Sequence, residues 1–327
     1  MSFGLLHYIN DMISIITRRG TTFWLLLVIA MMTAVIHPIS AQTHPSLSEK
    51  QQTPDTAKPE KNGRLKWVLA LHAAGMAGTY IYFIEPWWSG EKRDFNFKMD
   101  WYNNHWREID KFGHFFANIQ VSRFSAMTYR YAGIDRRKSL WYGGASSLIL
   151  YTAFELTDAT FDNWGFSVPD YIANILGAGY PLLQDMMPVL QHFNFKISYR
   201  KSKYFKNEAA NKPEFSRYKP YEYLVGDYDG QRFWLSADAD ALLPQHWRKF
   251  WPNWLNIAIG YGARNLPQHN STLKRRDVYL ALDFNFPATK DDPPLLFALK
   301  SLISSIHLPA PTVRFSKDGT VFYGLFF

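Results

Sequence analysis

The chain has 327 residues, of which 47% are hydrophobic and 17% aromatic, so it is long enough to bury a core without disulfide or metal cross-links. It contains no cysteine, which excludes disulfides, thiolate zinc sites and a lipid anchor on an N-terminal cysteine. The formal net charge of +8 is divided among short clusters rather than one basic face, which indicates solvated loop ends or contacts with anionic lipid headgroups.

The N-terminal residues have the layout of a secretory signal. Arg18 and Arg19 precede an apolar run over residues 23–36, and small residues follow at Ser40 and Ala41. This pattern predicts a cleaved signal peptide over residues 1–41, with an uncleaved anchor as the alternative. Export places the protein in the cell envelope, in the outer membrane or on the periplasmic face of a membrane, and makes nucleic acid an unsuitable partner.

Polar residues with almost no side chains to bury predict a disordered linker over residues 42–63. A helical domain is then expected over residues 64–191. Its four apolar segments of helical period cover residues 65–84, 110–131, 140–158 and 167–183. The first is expected to end at Glu85-Pro86, and the fourth to begin with a capping box of Ser167 and Asp170.

Beyond residue 191 the period changes to alternation, which predicts a β-rich domain over residues 192–327. The clearest strand covers residues 277–286, where large aliphatic side chains such as Leu280 alternate with small or polar ones such as Asp283. That alternation fits a sheet packed on a core or a lipid-facing strand. The last residues resemble the final strand of outer-membrane β-proteins, whereas an amphipathic helix over residues 295–306 argues against a simple up-and-down barrel.

The fold class expected is therefore α+β, a membrane-compatible bundle of about four helices followed by an antiparallel β-sheet or partial barrel. About six strands are expected. They cover residues 193–199, 231–235, 255–261, 277–286, 312–315 and 320–327.

Polar stripes on three of the helices indicate one buried cluster. Side chains four residues apart lie on the same face of a helix, as Asp110, His114 and Asn118 do. If the helices bundle, seven candidate site residues converge: Asp110, Lys111, His114, Glu155, Asp158, Asp170 and Asn174. Ionisable groups on helices this apolar are costly to bury unless they are paired or functional.

Two interpretations of this cluster remain open. In the catalytic one, Asp110, His114 and Glu155 bind a metal or exchange protons, Lys111 holds an anionic group, and Asp158, Asp170 and Asn174 bind or orient. In the structural one, Asp170 is a helix cap, Asp158 a loop residue and His114 a hydrogen-bonded core histidine. No HExxH motif, nucleophile elbow or phosphate-binding loop is present, so the sequence identifies no metal or cofactor.

The cluster residues also carry a family resemblance. Asp110-Lys111-Phe112-Gly113-His114, then Glu155 with Asp158, then Ser167-Val168-Pro169-Asp170 with Asn174 and Gly177 resemble the YfiM-like domain of unknown function. That family consists of predicted periplasmic or outer-membrane lipoproteins, and the pattern is more distantly similar to VanZ-like membrane proteins. The resemblance implies an envelope location and a shared polar cluster, and it implies no established activity. The chain departs from the lipoprotein pattern because it lacks the lipidation cysteine.

We therefore expect a non-enzymatic envelope protein, embedded in or attached to a membrane, whose polar cluster organises the helices and contacts lipid headgroups. The alternative is a membrane enzyme, metal-dependent or acid/base, that acts on a lipid or lipid-linked substrate. Membrane lipid is the expected partner in both cases.

Overall fold

The structure is a computed structural model that describes residues 62–88, 90–102, 104–204, 223–266, 271–286 and 294–326. The predicted signal peptide and residues 42–61 of the predicted linker lie outside these residues. The described chain is a mixture of helix and antiparallel sheet, which confirms the expected α+β class.

The N-terminal half is helical. From residue 62 onward it contains four long helices: α1 (Asn62–Trp87), α2 (Ile109–Tyr131), α3 (Arg136–Asp158) and α4 (Val168–Met186). Helix α1 begins three residues before the predicted start and extends past Pro86, where the sequence predicted its end. Helix α3 begins four residues early because the Asp135 side chain caps it by accepting a hydrogen bond from the Lys138 amide, 3.0 Å away.

Helices α2, α3 and α4 approach one another closely through small residues. A Cβ atom at Gly177 of α4 would overlap the carbonyl oxygen of Phe115 in α2, and one at Gly143 of α3 would overlap that of Ser122. The Ser122 hydroxyl in turn donates to the Ala178 carbonyl, 3.0 Å away. Glycine and serine therefore let three helices surround a narrow polar interior.

Helix α1 lies at the edge of this bundle. It contacts α2 where His72 hydrogen-bonds with Thr128, 2.7 Å apart. Among the described residues, the segment Gly63–Ile84 is the one helix long and apolar enough to cross a membrane, and only 11% of its most apolar stretch is buried. Between α1 and α2, the two-residue strand β1 (Phe97–Lys98) pairs in parallel with β2 (Phe166–Ser167), which precedes α4.

The C-terminal half is one six-stranded antiparallel sheet. Its strands are β3 (Phe193–Tyr199), β4 (Gln231–Ala237), β5 (Leu255–Arg264), β6 (Arg275–Phe284), β7 (Ala310–Ser316) and β8 (Gly319–Phe326). They follow one another in chain order across the sheet, and β3 and β8 are edges that do not pair with each other. The sheet is therefore open and not closed into a barrel. Shorter helices connect the strands: α5 (Tyr223–Gly226), α6 (Ala239–Leu242), α7 (Gln245–Arg248) and α8 (Pro294–Ile303).

The predicted positions of the strands hold to within a few residues, and the structure resolves which face of the sheet is buried. In β6 the large aliphatic side chains point away from the protein, with Leu280 46% exposed, whereas Asp277 and Asp283 are fully buried. In β5, Ile259 is 57% exposed, whereas Asn256 on the opposite face is buried. The buried face of the sheet combines these polar residues with the aromatic rings of Trp234 and Tyr279, whereas its outer face is aliphatic.

The two halves join at the loop before α2. Arg276 of β6 donates two hydrogen bonds to the Glu108 carboxylate, at 2.6 and 2.7 Å. Tyr261 of β5 donates to the Arg107 carbonyl at 2.6 Å. Arg107 and Glu108 both have left-handed backbone angles, with φ of 53° and 64°, so these contacts hold a strained turn in place. Arg276 is therefore part of a structural joint rather than of a solvated loop end.

Candidate polar site in the helical bundle

The Lys111 ammonium lies among three carboxylates near the start of α2. Its Nζ is 2.8 Å from Asp100 Oδ2, 2.9 Å from Asp110 Oδ2 and 3.1 Å from Asp170 Oδ1. The contact with Asp170 is an ion pair without hydrogen-bond geometry, and this buried oxygen has no hydrogen-bond partner. The carboxylates outweigh the burial of Lys111 and raise the pKa of its ammonium, so the lysine stays charged.

Asp100 enters the site from the loop between β1 and α2. It accepts hydrogen bonds from Lys111 and from the Ser167 hydroxyl, the latter at 2.7 Å. Burial raises the pKa of the Asp100 carboxyl, but the hydrogen bonds from Lys111 and Ser167 outweigh this effect. The pKa therefore lies below its usual value. Asp110 also accepts hydrogen bonds from Lys111, but burial together with the Asp170 charge outweighs them and raises the pKa of its carboxyl.

The predicted capping box at α4 forms only in part. The Ser167 hydroxyl accepts from the Asp170 amide at 3.2 Å, as predicted. The reciprocal bond is absent, because the Ser167 amide donates to Glu155 Oε2 at 3.1 Å and the Asp170 carboxylate faces Lys111. Asp170 is therefore a member of the cluster and not merely a helix cap.

A chain of hydrogen bonds fixes which nitrogen of His114 carries a proton. Asn118 Nδ2 donates to the His114 backbone carbonyl at 2.8 Å, which sets the orientation of the Asn118 amide. The same nitrogen donates to Asn174 Oδ1 at 2.6 Å, so the Asn174 atom facing His114 is an oxygen. His114 Nδ1, 2.9 Å from that oxygen, must then carry a hydrogen and donate it. Nε2 has no hydrogen-bond partner among the described residues, and in the neutral ring it carries the lone pair.

Glu155 completes the cluster from α3. Its Oε1 lies 3.6 Å from His114 Nδ1 and 3.5 Å from Asn174 Nδ2, and the residue is almost fully buried. Burial raises the pKa of the Glu155 carboxyl to about 8, although the nearby His114 charge acts in the opposite direction. Burial has the largest single effect on the pKa of His114 and lowers it. The nearby charges of Asp170 and Glu155 together outweigh burial and raise this pKa above its usual value.

The structure brings six of the seven predicted residues into one network and places Asp158 apart from them. Asp158 accepts a hydrogen bond from Trp88 Nε1 at 2.5 Å, at the end of α3, and no hydrogen bond connects it with the other six. Burial raises the pKa of its carboxyl to about 6. Its position ties the end of α1 to α3.

Sequence reasoning missed Asp100 and Asn104, which lie in a loop with no periodic pattern to mark them. Asn104 Nδ2 lies 3.3 Å from both carboxylate oxygens of Asp110. It also missed a second buried cluster inside the sheet, where Lys196 Nζ lies 2.6 Å from Asp283 Oδ2 and His307 Nδ1 lies 3.0 Å from Asp283 Oδ1. The sequence did carry a signal for this cluster, because Lys196 and Asp283 both lie at polar positions of alternating strands.

Comparison with known proteins gives one partial match. The model of a family described as predicted periplasmic lipoprotein (DUF2279) matches residues 100–186. No curated protein and no solved structure matches the chain. The matched segment begins at Asp100 and contains every member of the polar network, and it includes neither α1 nor the sheet. The chain is thus similar, over its polar bundle, to envelope proteins of unknown function.

Proposed function

We propose that this protein is a non-enzymatic envelope protein, attached to a lipid membrane through outward apolar faces, whose internal polar network organises the helices. The proposal rests on the sheet, where aliphatic side chains are exposed and polar side chains are buried. Ile259 and Leu280 are paired across β5 and β6 and are both exposed, whereas Asp283 is fully buried. In water this arrangement is unfavourable, but next to hydrocarbon it is the expected one.

The helical half supports the same interpretation. Large apolar side chains are exposed along the outer surfaces of α3 and α4. They include Trp141, Ile149, Leu156, Ile175, Leu176 and Leu183. A soluble monomer rarely exposes a continuous apolar patch larger than a few hundred Å². The polar side chains of Asn118 in α2 and Asn174 in α4 are instead fully buried.

The loop before β5 has the composition of a membrane–water interface. Trp247, Phe250 and Trp254 are exposed there, next to Arg248 and Lys249. Aromatic rings favour the headgroup region and basic side chains pair with anionic headgroups. This loop adjoins the aliphatic face, because Trp254 stacks on Phe284 at the end of β6, with ring centroids 6.1 Å apart. The sequence of strand β8 resembles a strand of outer-membrane β-proteins and therefore favours the outer membrane as the location.

A flotation experiment tests the attachment. The full chain, purified in detergent and mixed with phosphatidylcholine–phosphatidylglycerol vesicles, should float with the vesicles after detergent removal and resist a carbonate wash. Leu280→Asp should reduce the floating fraction, because a charged side chain on a lipid-facing strand is unfavourable near the middle of the bilayer. Lys317→Asp, in the exposed β7–β8 turn, is the control and should float like wild type.

Two results would contradict the proposal. One is wild-type protein that stays monodisperse and soluble without detergent or lipid. The other is Leu280→Asp protein that floats as well as wild type. Circular dichroism of the variant should show that it is folded, since Leu280 is 46% exposed on the outer face of the sheet.

A second candidate is the membrane enzyme acting on a lipid or lipid-linked substrate. One observation favours it: His114 Nδ1 lies 3.6 Å from Glu155 Oε1, and the Glu155 pKa of about 8 suits proton transfer near neutral pH. Loss of cellular phenotype in Glu155→Ala at wild-type abundance would favour the enzyme, whereas a joint fall in abundance and stability would favour the structural network.

A further inference from the structure

The charges of the polar network do not balance. Asp100, Asp110, Glu155 and Asp170 contribute four carboxylates, and Lys111 supplies the one permanent positive charge among them. When all four carboxyls are ionised, even a protonated His114 leaves an excess of negative charge. Buried carboxylates in proteins are paired, protonated or bound to a metal.

One carboxylate in the network has an incomplete set of partners. Asp170 is only 7% exposed, and its Oδ1 accepts no hydrogen bond, although it lies in an ion pair with Lys111. A buried carboxylate oxygen in this position normally accepts hydrogen bonds from neighbouring amides or hydroxyls. The donor that would satisfy it is absent from the described residues.

His114 is arranged as metal-binding histidines usually are. Its Nδ1–H donates to the Asn174 side-chain oxygen, which orients the ring and leaves the lone pair on Nε2. A hydrogen bond from the second ring nitrogen to an oxygen is the usual support of a ligating imidazole. One nitrogen of His114 and one oxygen each of Glu155 and Asp170 lie within 4.8 Å of one another.

We propose that His114, Glu155 and Asp170 form a binding site for a divalent transition-metal cation such as Zn²⁺. One imidazole and two carboxylates make a mixed nitrogen and oxygen set, which favours Zn²⁺ over Mg²⁺ because Mg²⁺ prefers oxygen ligands alone. Ligand distances of about 2.0–2.2 Å require the three side chains to move closer together when the cation binds. Lys111 and Asn174 then orient Asp170 and His114 from outside the ligand set. The proposal does not depend on membrane attachment.

The first test measures zinc binding to the full chain purified in detergent and stripped with a chelator. Isothermal titration should give one tight Zn²⁺ site per chain, and Zn²⁺ but not Mg²⁺ should raise the melting temperature. Asp170→Asn keeps the shape of the side chain and removes its charge, so the affinity for Zn²⁺ should fall at least tenfold. His246→Ala removes an exposed histidine far along the chain from the cluster and should leave this site unchanged.

The proposal is overturned if Asp170→Asn, folded by circular dichroism, binds Zn²⁺ as tightly as wild type. It is also overturned if the wild type binds no Zn²⁺, or if the Zn²⁺ site is lost in His246→Ala. A second measurement avoids variants altogether. In the wild-type protein, Zn²⁺ should protect His114 but not His246 from modification by diethyl pyrocarbonate, as mapped by peptide mass spectrometry. Equal modification of His114 with and without Zn²⁺ would exclude it as a ligand.

Discussion

The role of each polar side chain in the bundle depends on the partners of its individual atoms. Asn118 illustrates this, because its amide nitrogen bonds two acceptors while its oxygen accepts the Ser147 hydroxyl at 2.6 Å. Through these bonds one fully buried amide connects α2, α3 and α4 and also fixes the tautomer of His114. Such networks stabilise a structure only when every member is satisfied.

Replacing Asn118 by leucine tests this connection. Asn118→Leu keeps the approximate volume but removes one hydrogen bond from the Ser147 hydroxyl and one from the Asn174 oxygen, at about 0.5–1.5 kcal/mol for each bond. We expect a clear fall in the melting temperature measured by circular dichroism in detergent. Ser125→Ala, a buried position on the same helix, removes no bond of the network and should have a small effect. Equal melting temperatures for the two variants would show that the network contributes little.

At the scale of elements, the bundle depends on close backbone contacts between its helices. Gly177 faces the Phe115 carbonyl of α2, whereas Gly179, two residues along the same helix, has no atom within 4 Å of the position a Cβ would occupy. The two glycines therefore have different roles although the sequence around them is equally apolar. Gly177 sets the distance between α2 and α4.

This difference gives a matched pair of substitutions. Gly177→Ala should push α4 away from α2 and reduce stability by about 1–3 kcal/mol, as overpacked sites do. Gly179→Ala should be neutral or stabilise α4 by up to about 1 kcal/mol, because alanine is the better helix former. Thermal unfolding of both variants in detergent measures the contrast. A neutral Gly177→Ala would mean that the helices are farther apart than described.

At the scale of the whole molecule, the sheet holds in place the loop that forms one side of the polar site. The loop that carries Asp100 and Asn104 ends at Glu108, which Arg276 of β6 holds by two hydrogen bonds. Phe112 of α2 also stacks on Tyr261 of β5, with ring centroids 4.7 Å apart. The position of Asp100 next to Lys111 thus depends on a strand more than 160 residues away in sequence.

Hydrogen exchange can detect this dependence. Arg276→Gln should accelerate amide exchange in residues 100–108 by about tenfold, equivalent to a local loss of about 1.4 kcal/mol. Arg275→Gln is the control, because the Arg275 guanidinium bonds only the nearby carbonyls of Thr272 and Lys274. Unchanged exchange in Arg276→Gln would show that the loop is held by the helical half alone.

The sequence by itself determined the α+β class, the four long helices and the six strands, and six of its seven predicted site residues join the polar network. These features follow from periodicity, since side-chain spacing specifies which residues share a face. Only the tertiary structure decided that Asp158 lies apart, that Asp170 faces Lys111 and that Asp100 joins the site. It alone also decided that the aliphatic face of the sheet points outward. A periodic pattern identifies two faces without saying which is buried, and a loop residue such as Asp100 has no period at all, so both depend on contacts between segments far apart in the chain.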